Sequence, residues 1–191
     1  MKLKTALVVW LLLAPVFVIA ADMPAGWVKA GSHPAEYDMG LDATVRHDGK
    51  GSGFIKATAT ELHGFGTLMQ TAGPGEYRGK RVRLSAYVKS EKVQSGWAGL
   101  WFRIDGAKQG DVLGFDNMQQ RPIKGTTDWK RYEIVLDVPD GASALAFGVL
   151  LSGDGQVWMD DFKFDVVTPD VSVTGRMGPP NGTPQNLNFE K

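Results

Sequence analysis

The sequence predicts an all-β protein built as a two-sheet antiparallel sandwich. Apolar residues recur at every second position in short runs, and almost nothing recurs at the 3.6-residue helical period. Each run is closed by Gly, Pro, Asp or Asn at turn-length spacing. Many short strands without a helix can bury their apolar faces only by packing sheet on sheet.

The expected strands, in order, are Tyr37–Asp42, Gly53–Ala59, Gly66–Thr71, Arg81–Ser90, Trp97–Asp105, Val112–Asn117, Trp129–Val138, Leu145–Ser152 and Gln156–Val167. The turns between them are marked by His47-Asp48-Gly49-Lys50-Gly51, Ala72-Gly73-Pro74-Gly75, Asp105-Gly106, Pro139-Asp140-Gly141 and Gly153-Asp154-Gly155. Alternation assigns faces. Val82, Leu84, Ala86 and Val88 point to the core, with Arg83, Ser85, Tyr87 and Lys89 opposite. Tyr132, Ile134, Leu136 and Val138 are core, with Arg131, Glu133 and Asp137 in water. Leu145, Phe147, Val149 and Leu151 are core, while Ala146, Gly148, Leu150 and Ser152 leave a low surface behind them.

Residues 1–20 read as a secretory leader. Lys2 and Lys4 precede an apolar run from Ala6 to Ile19, and Val18-Ile19-Ala20 supplies small residues before cleavage after Ala20 or Ala21. The run is short for a membrane span and contains Pro15, so the mature chain is expected to be periplasmic or secreted. Residues 21–168 form one domain. The stretch 169–191 is rich in Pro, Gly, Thr and Asn and reads as an extended tail, in which Leu187 to Glu190 returns as an edge strand or dangles. With no cysteine, stability rests on packing; with a formal net charge of zero, no global field draws in nucleic acid. The basic cluster Arg78, Lys80, Arg81 and Arg83 reads as a solvated turn and strand edge.

The segment from Trp97 to Ile104 carries the functional signal. Ala98, Leu100, Phe102 and Ile104 form a core face, so Trp97, Gly99, Trp101 and Arg103 share the other. Two indoles and a guanidinium suit a ligand platform: indole faces stack on sugar C–H faces, and the fork of Arg103 fixes acceptors. Two such rings support micromolar to millimolar affinity once association costs are deducted. The competing reading has both indoles covered by a loop as an extension of the core. The following segment, Phe115 to Pro122, concentrates amides, a carboxylate and an arginine; Asn117 and Arg121 either orient ligand hydroxyls or hold the loop. Tyr87 is a further candidate from the non-core face of its strand.

Three stretches resemble carbohydrate-binding-module-like, galactose-binding-like jelly rolls. Tyr77-Arg78-Gly79-Lys80-Arg81-Val82-Arg83-Leu84-Ser85-Ala86-Tyr87-Val88-Lys89 is similar to one of their strands, and Thr127-Asp128-Trp129-Lys130-Arg131-Tyr132 to another strand's start. Gly155-Gln156-Val157-Trp158-Met159-Asp160-Asp161-Phe162 is similar to their closing strand. The cover runs from about Trp27 to Val167. More narrowly, Gly26 to Pro34, Gly64 to Gln70 and Phe115 to Gln119 resemble an uncharacterised bacterial family found alone or attached to transcriptional regulators. No helix-turn-helix is present in this chain, so a regulatory role does not transfer. Such modules commonly open with an Asn-x-x-Phe-Glu strand before Gly-Trp. Here Asn186-Leu187-Asn188-Phe189-Glu190 closes the chain instead, as a circular permutation would.

Asp160 alternates with Trp158, Phe162 and Phe164, so it is expected to face inward, where a carboxylate needs a partner. No cofactor is expected, and at Asp160 two readings stand: a hydrogen-bonded or paired carboxylate, or a structural calcium of the kind that the resemblance implies. His33, His47 and His63 lack ligand spacing, which argues against zinc. No P-loop, dinucleotide loop or nucleophile elbow is present. A glycoside hydrolase needs two carboxylates about 5 to 9 Å apart. Asp105, Asp111 and Asp116 are near enough to the tryptophan strand, but adjacent glycines mark them as turn residues. The expectation is non-catalytic binding of a small or oligomeric ligand, with carbohydrate the class that the resemblance implies. Its rivals are a carbohydrate-active hydrolase or lyase, and an envelope protein whose tryptophan face is covered by a protein partner.

Overall fold

The computed structural model describes residue 23 and residues 25–177. Among the described residues ten strands follow one another: β1 Val28–Gly31, β2 Tyr37–Asp42, β3 Ser52–Ala57, β4 Phe65–Ala72, β5 Lys80–Asp105, β6 Val112–Asp116, β7 Ile123–Val138, β8 Ala144–Ser152, β9 Gln156–Val167 and β10 Arg176–Met177. The helical content among the described residues is two 3-10 turns, Pro34–Glu36 and Gly75–Tyr77. Strand pairing is antiparallel throughout, and the hydrogen-bonded order is β1-β4-β8-β5-β9-β3-β2, with β6 and β7 also on β5 and β10 on β6.

The sequence predicts two strands, Arg81–Ser90 and Trp97–Asp105, where the structure has the single strand β5, and its pairing explains why both halves look like strands. Residues 80–90 pair with β7 and β9, whereas residues 97–105 pair with β8 and β6. One strand therefore runs through both layers of the sandwich. Between the halves the register with β7 slips three times, and Lys92 takes φ +55°, so the chain bends there instead of turning back.

The core lies between the layers and follows the expected alternation. Val82, Leu84, Ala86, Val88, Leu100, Phe102, Ile104, Ile134, Leu136, Val149 and Leu151 are fully buried. Each large aliphatic side chain removed from water contributes about 1.5–3 kcal/mol, which is what holds a cysteine-free sandwich together. Ser85, assigned to the outer face, is also buried. Val135 is buried as well, and the chain after β9 runs beside it along the open edge of β7: Thr174 N–H donates to the Val135 carbonyl at 2.9 Å, and Val135 N–H donates to Thr174 Oγ1 at 3.0 Å.

Residues 169–177 thus lie against the sandwich. Arg81 Nη1 donates to the Pro169 and Val171 carbonyls at 2.6 and 2.8 Å, and β10 adds itself to β6 with Arg176 opposite Phe115. The proposed leader and the segment 187–190 lie outside the described residues.

The inward placement of Asp160 is corrected. Ser85 pairs with Lys163 but Tyr87 pairs with Asp160, so Asp161 and Phe162 together oppose Ala86. This is a bulge, and Asp161 takes φ +52° to make it. The extra residue reverses the alternation. Val157 and Met159 face the core before the bulge, and Phe162 and Phe164 pack against it afterwards. Trp158 and Asp160 are left on the other face, where Trp158 Nε1–H donates to Asp42 Oδ2 at 2.9 Å.

Candidate functional site

The second half of β5 places Trp97, Gly99, Trp101 and Arg103 opposite Ser152, Leu150, Gly148 and Ala146 of β8. The tryptophan strand and the strand of small residues are therefore neighbours. Their shared outer surface extends over β4 and β1 on one side and β6 on the other, and it is hollowed into a groove of about 430 Å³. Five adjacent strands at ~4.8 Å spacing make such a groove roughly 19 Å across. Trp97, Trp101, Arg103 and Asn117 all line it, joined by Phe65, Thr67, Met69, Phe115 and Leu150.

The two indoles have different roles. Trp101 is 7% exposed, and its Nε1–H donates to Thr67 Oγ1 at 2.8 Å. That hydroxyl in turn donates to the Val149 carbonyl at 2.7 Å. Trp101 is therefore the fixed floor, with Ala146, Leu150, Met69 and Phe115 packed around it. Trp97 is half-buried and stands at the groove wall. The gap left by Gly99 is filled by the chain after β6. A Cβ on Gly99 would come 2.6 Å from the Asn117 carbonyl and 3.0 Å from Trp97 Cζ3, so only glycine lets that loop settle between the indoles. Asn117 reaches the groove for this reason.

Arg103 is oriented by Asp105 two residues along the same face. Nη2 donates to Oδ2 at 3.0 Å, and Nε lies 2.8 Å from Oδ1. About two-fifths of the side chain stays in solvent. Asn117 Oδ1 accepts Gln119 N–H at 3.1 Å, which fixes the side chain at the groove edge.

Arg121 is committed to the loop. Its Nη2 and Nη1 donate to Asp116 Oδ2 and Oδ1 at 2.6 and 3.2 Å, and Nη2 also reaches the Glu133 carbonyl. Asp116 is buried and further accepts Met118 N–H at 2.8 Å and the Thr174 hydroxyl at 2.6 Å. Arg121 lines a neighbouring hollow of about 380 Å³ with Asn117, Phe115 and Arg176. Tyr87 is not brought to either hollow. It sits on the first half of β5, stacked on His47 with centroids 3.7 Å apart, and His47 Nδ1 contacts Asp161 Oδ2 at 2.6 Å.

Asp160 does not fit a calcium ion. Its Oδ2 accepts His47 N–H and Asp48 N–H at 3.0 and 3.2 Å, and its Oδ1 accepts Asp161 N–H at 2.9 Å. Those donors aim positive dipoles at the oxygens a cation would need. The carboxylate instead ties the β2–β3 loop to β9. Among the described residues there is no group of three or more His, Cys, Asp or Glu side chains placed to hold a metal.

Phe65, Met69 and Phe115 were not singled out from the sequence, although alternation within β4 and β6 puts all three on the groove face. Arg176 carried no signal, since it lies in a stretch that reads as tail.

Comparison with solved structures settles the architecture. The CBM22-1 xylan-binding domain of Paenibacillus barcinonensis Xyn10C superposes with a TM-score of 0.55 at 18% identity, covering 78% of this chain and 90% of that one. The C-terminal family 22 carbohydrate-binding module of Clostridium thermocellum Xyn10B gives 0.52 at 11% identity, covering 74% and 87%. The fold is the carbohydrate-binding-module jelly roll. That jelly roll is not confined to binding modules, since a cyclase from Fischerella sp. TAU also matches at 0.52 with 16% identity, covering 75% and 85%.

At the level of sequence, the uncharacterized HTH-type transcriptional regulator YbfP of Bacillus subtilis (strain 168) is 48% identical over 169 residues, which span 87% of this chain and 57% of that protein. The chain thus spans little more than half the length of this curated relative, in agreement with the narrower resemblance to modules attached to regulators. No protein-family model matches the chain. Among the described residues no helix is long and apolar enough to cross a membrane.

Proposed function

We propose that the chain binds a saccharide in the groove over β1, β4, β8, β5 and β6 without transforming it. The observation that carries this reading is the pairing of a half-buried Trp97 with a rigid, hydrogen-bonded Trp101 floor, edged by the donors of Arg103 and Asn117. An indole wall desolvates the apolar face of a pyranose, and the edge donors select the orientation of its oxygens. Xylan-binding modules share the jelly roll, so β-1,4-xylo-oligosaccharides are the first ligands to test. The nearby carboxylates favour binding over hydrolysis: Asp105 is paired with Arg103 and Asp116 with Arg121, which leaves neither as an unpaired proton donor.

The test is a panel of neutral oligosaccharides followed by intrinsic tryptophan fluorescence, with chromatography of the same mixtures after long incubation. Saturable quenching with intact saccharide is the expected result. Shortened products would overturn the non-catalytic reading, and an unresponsive spectrum across the panel would overturn saccharide binding. Export to the periplasm or medium, expected from the leader, belongs to the same proposal.

The similarity to YbfP favours a second reading, in which the groove takes a small effector. A compact ligand that saturates the quenching while oligosaccharides do not would select it.

A further inference from the structure

Resting on the saccharide reading, we infer that the groove is built for an acidic sugar, with Arg176 supplying the cation that meets its carboxylate. The groove and the hollow beside it share Phe115 and Asn117, so they form one continuous surface. The charged side chains lining that surface are Arg103, Asp116, Arg121 and Arg176. Asp116 is neutralised by Arg121, and Arg103 by Asp105 beside it on the same face. Arg176 is exposed and makes no ion pair among the described residues; its guanidinium carbon lies 5.6 Å from the centroid of the Phe115 ring. A guanidinium within cation–π reach of an aromatic ring at a groove edge is positioned without being neutralised.

The hydrogen-bonding inventory points the same way. Asn117 Oδ1 accepts Gln119 N–H, and its NH2 makes no hydrogen bond among the described residues. The Thr67 hydroxyl both accepts and donates inside the floor. Both Asp116 oxygens are occupied. Besides donors, a ligand meets the Ser152 hydroxyl, which reaches the Gly64 carbonyl at 3.5 Å, and the Gln119 and Gln120 amides of the neighbouring hollow, while the carboxylate lining that surface, Asp116, is already paired. A neutral sugar presents hydroxyls that must both give and receive, whereas a carboxylate only receives. An apolar wall with one unneutralised cation farther along the surface therefore matches an oligosaccharide that carries a uronic acid: neutral rings along Trp97, carboxylate toward Arg176. Charge-assisted pairing of this kind is worth about tenfold or more in affinity.

The experiment compares two probes by calorimetry: an unbranched xylo-oligosaccharide, and the same oligosaccharide bearing one glucuronic acid. Wild type and Arg176→Gln are both measured at low and high salt, with thermal melts to confirm that β10 stays in place. About tenfold tighter binding of the acidic probe is expected, a gap that shrinks in high salt and closes in Arg176→Gln, with neutral binding unchanged. Equal affinities in wild type would overturn the inference while leaving saccharide binding intact. A gap that survives Arg176→Gln would overturn the assignment to Arg176. If neither probe bound, the saccharide reading and the inference would fall together.

Discussion

Replacing Trp101 by alanine should cost more stability than replacing Trp97, and the size of the difference follows from their surroundings. Trp101 is 7% exposed, enclosed by Met69, Ala146, Leu150 and Phe115, and its indole N–H is spent on Thr67. A tryptophan of that burial removes about 200 Å² from water, an upper bound near 5 kcal/mol at ~25 cal/mol per Å². Truncation series place such losses at about 3–5 kcal/mol. The orphaned Thr67 hydroxyl adds little, since it keeps its bond to Val149. Trp97 is half-buried, so the same area arithmetic halves the bound, and Trp97→Ala should cost about 2 kcal/mol. Urea unfolding followed by circular dichroism reads both values from midpoints at a common slope. Trp101→Phe, which keeps most of the ring area, should fall between them. If Trp101→Ala were as mild as Trp97→Ala, the division into floor and wall would be wrong.

Three further outcomes are expected. The Asp42 carboxyl is pushed upward by partial burial, but hydrogen bonds from the Thr44 hydroxyl, the Trp158 indole and the Thr44 and Val45 N–H groups outweigh this, so its pKa is lowered from 3.8 to about 2. A depressed folded-state pKa gives stability that is complete above the unfolded value and disappears as pH falls from about 4 through 2; with solvent screening it amounts to about 1 kcal/mol, and Asp42→Asn should flatten that part of the acid-unfolding profile. Thr174→Val removes the donor to Asp116 and the acceptor of Val135 N–H, so a loss of about 1–2 kcal/mol in chemical denaturation is expected, and an unchanged midpoint would show that residues 169–177 do not hold the sandwich. Gly99→Ala drives a methyl against the Asn117 carbonyl and should weaken saccharide binding about tenfold by calorimetry while the protein still folds; unchanged affinity would remove Asn117 from the site.

Much of this architecture is legible in the alternation of residues. Tyr37–Asp42 and Gln156–Val167 are strands with the bounds the sequence implies, because Gly, Pro and Asp turns close them locally. The inward face of β5 is equally legible, because Val82 to Val88 and Ala98 to Ile104 keep strict period two. What alternation misses is whatever breaks the period or depends on distant partners. One inserted residue at Asp161 reverses every side chain before it relative to those after, and no turn residue announces it. Residues 169–177 look like a tail because their support comes from Arg81, Asp116 and Val135, far away in the chain.

At the site, Trp97, Trp101, Arg103 and Asn117 were recognisable by residue type and do converge. Arg121 has the same chemistry but a buried carboxylate five residues back, and that pairing decides its role. Tyr87 shares a strand with the tryptophans, yet the bend in β5 carries it into the other sheet.

The central claim, that a saccharide seats against the wall of this groove, is tested most directly by the indole N–H resonances of nitrogen-15-labelled protein. During titration with xylo-oligosaccharide, the Trp97 signal, assigned through Trp97→Phe, should move in proportion to occupancy, while that of Trp129 on the other sheet stays in place. Movement of Trp129 alone, or a saturable calorimetric signal with Trp97 unmoved, would put the ligand elsewhere and contradict the account.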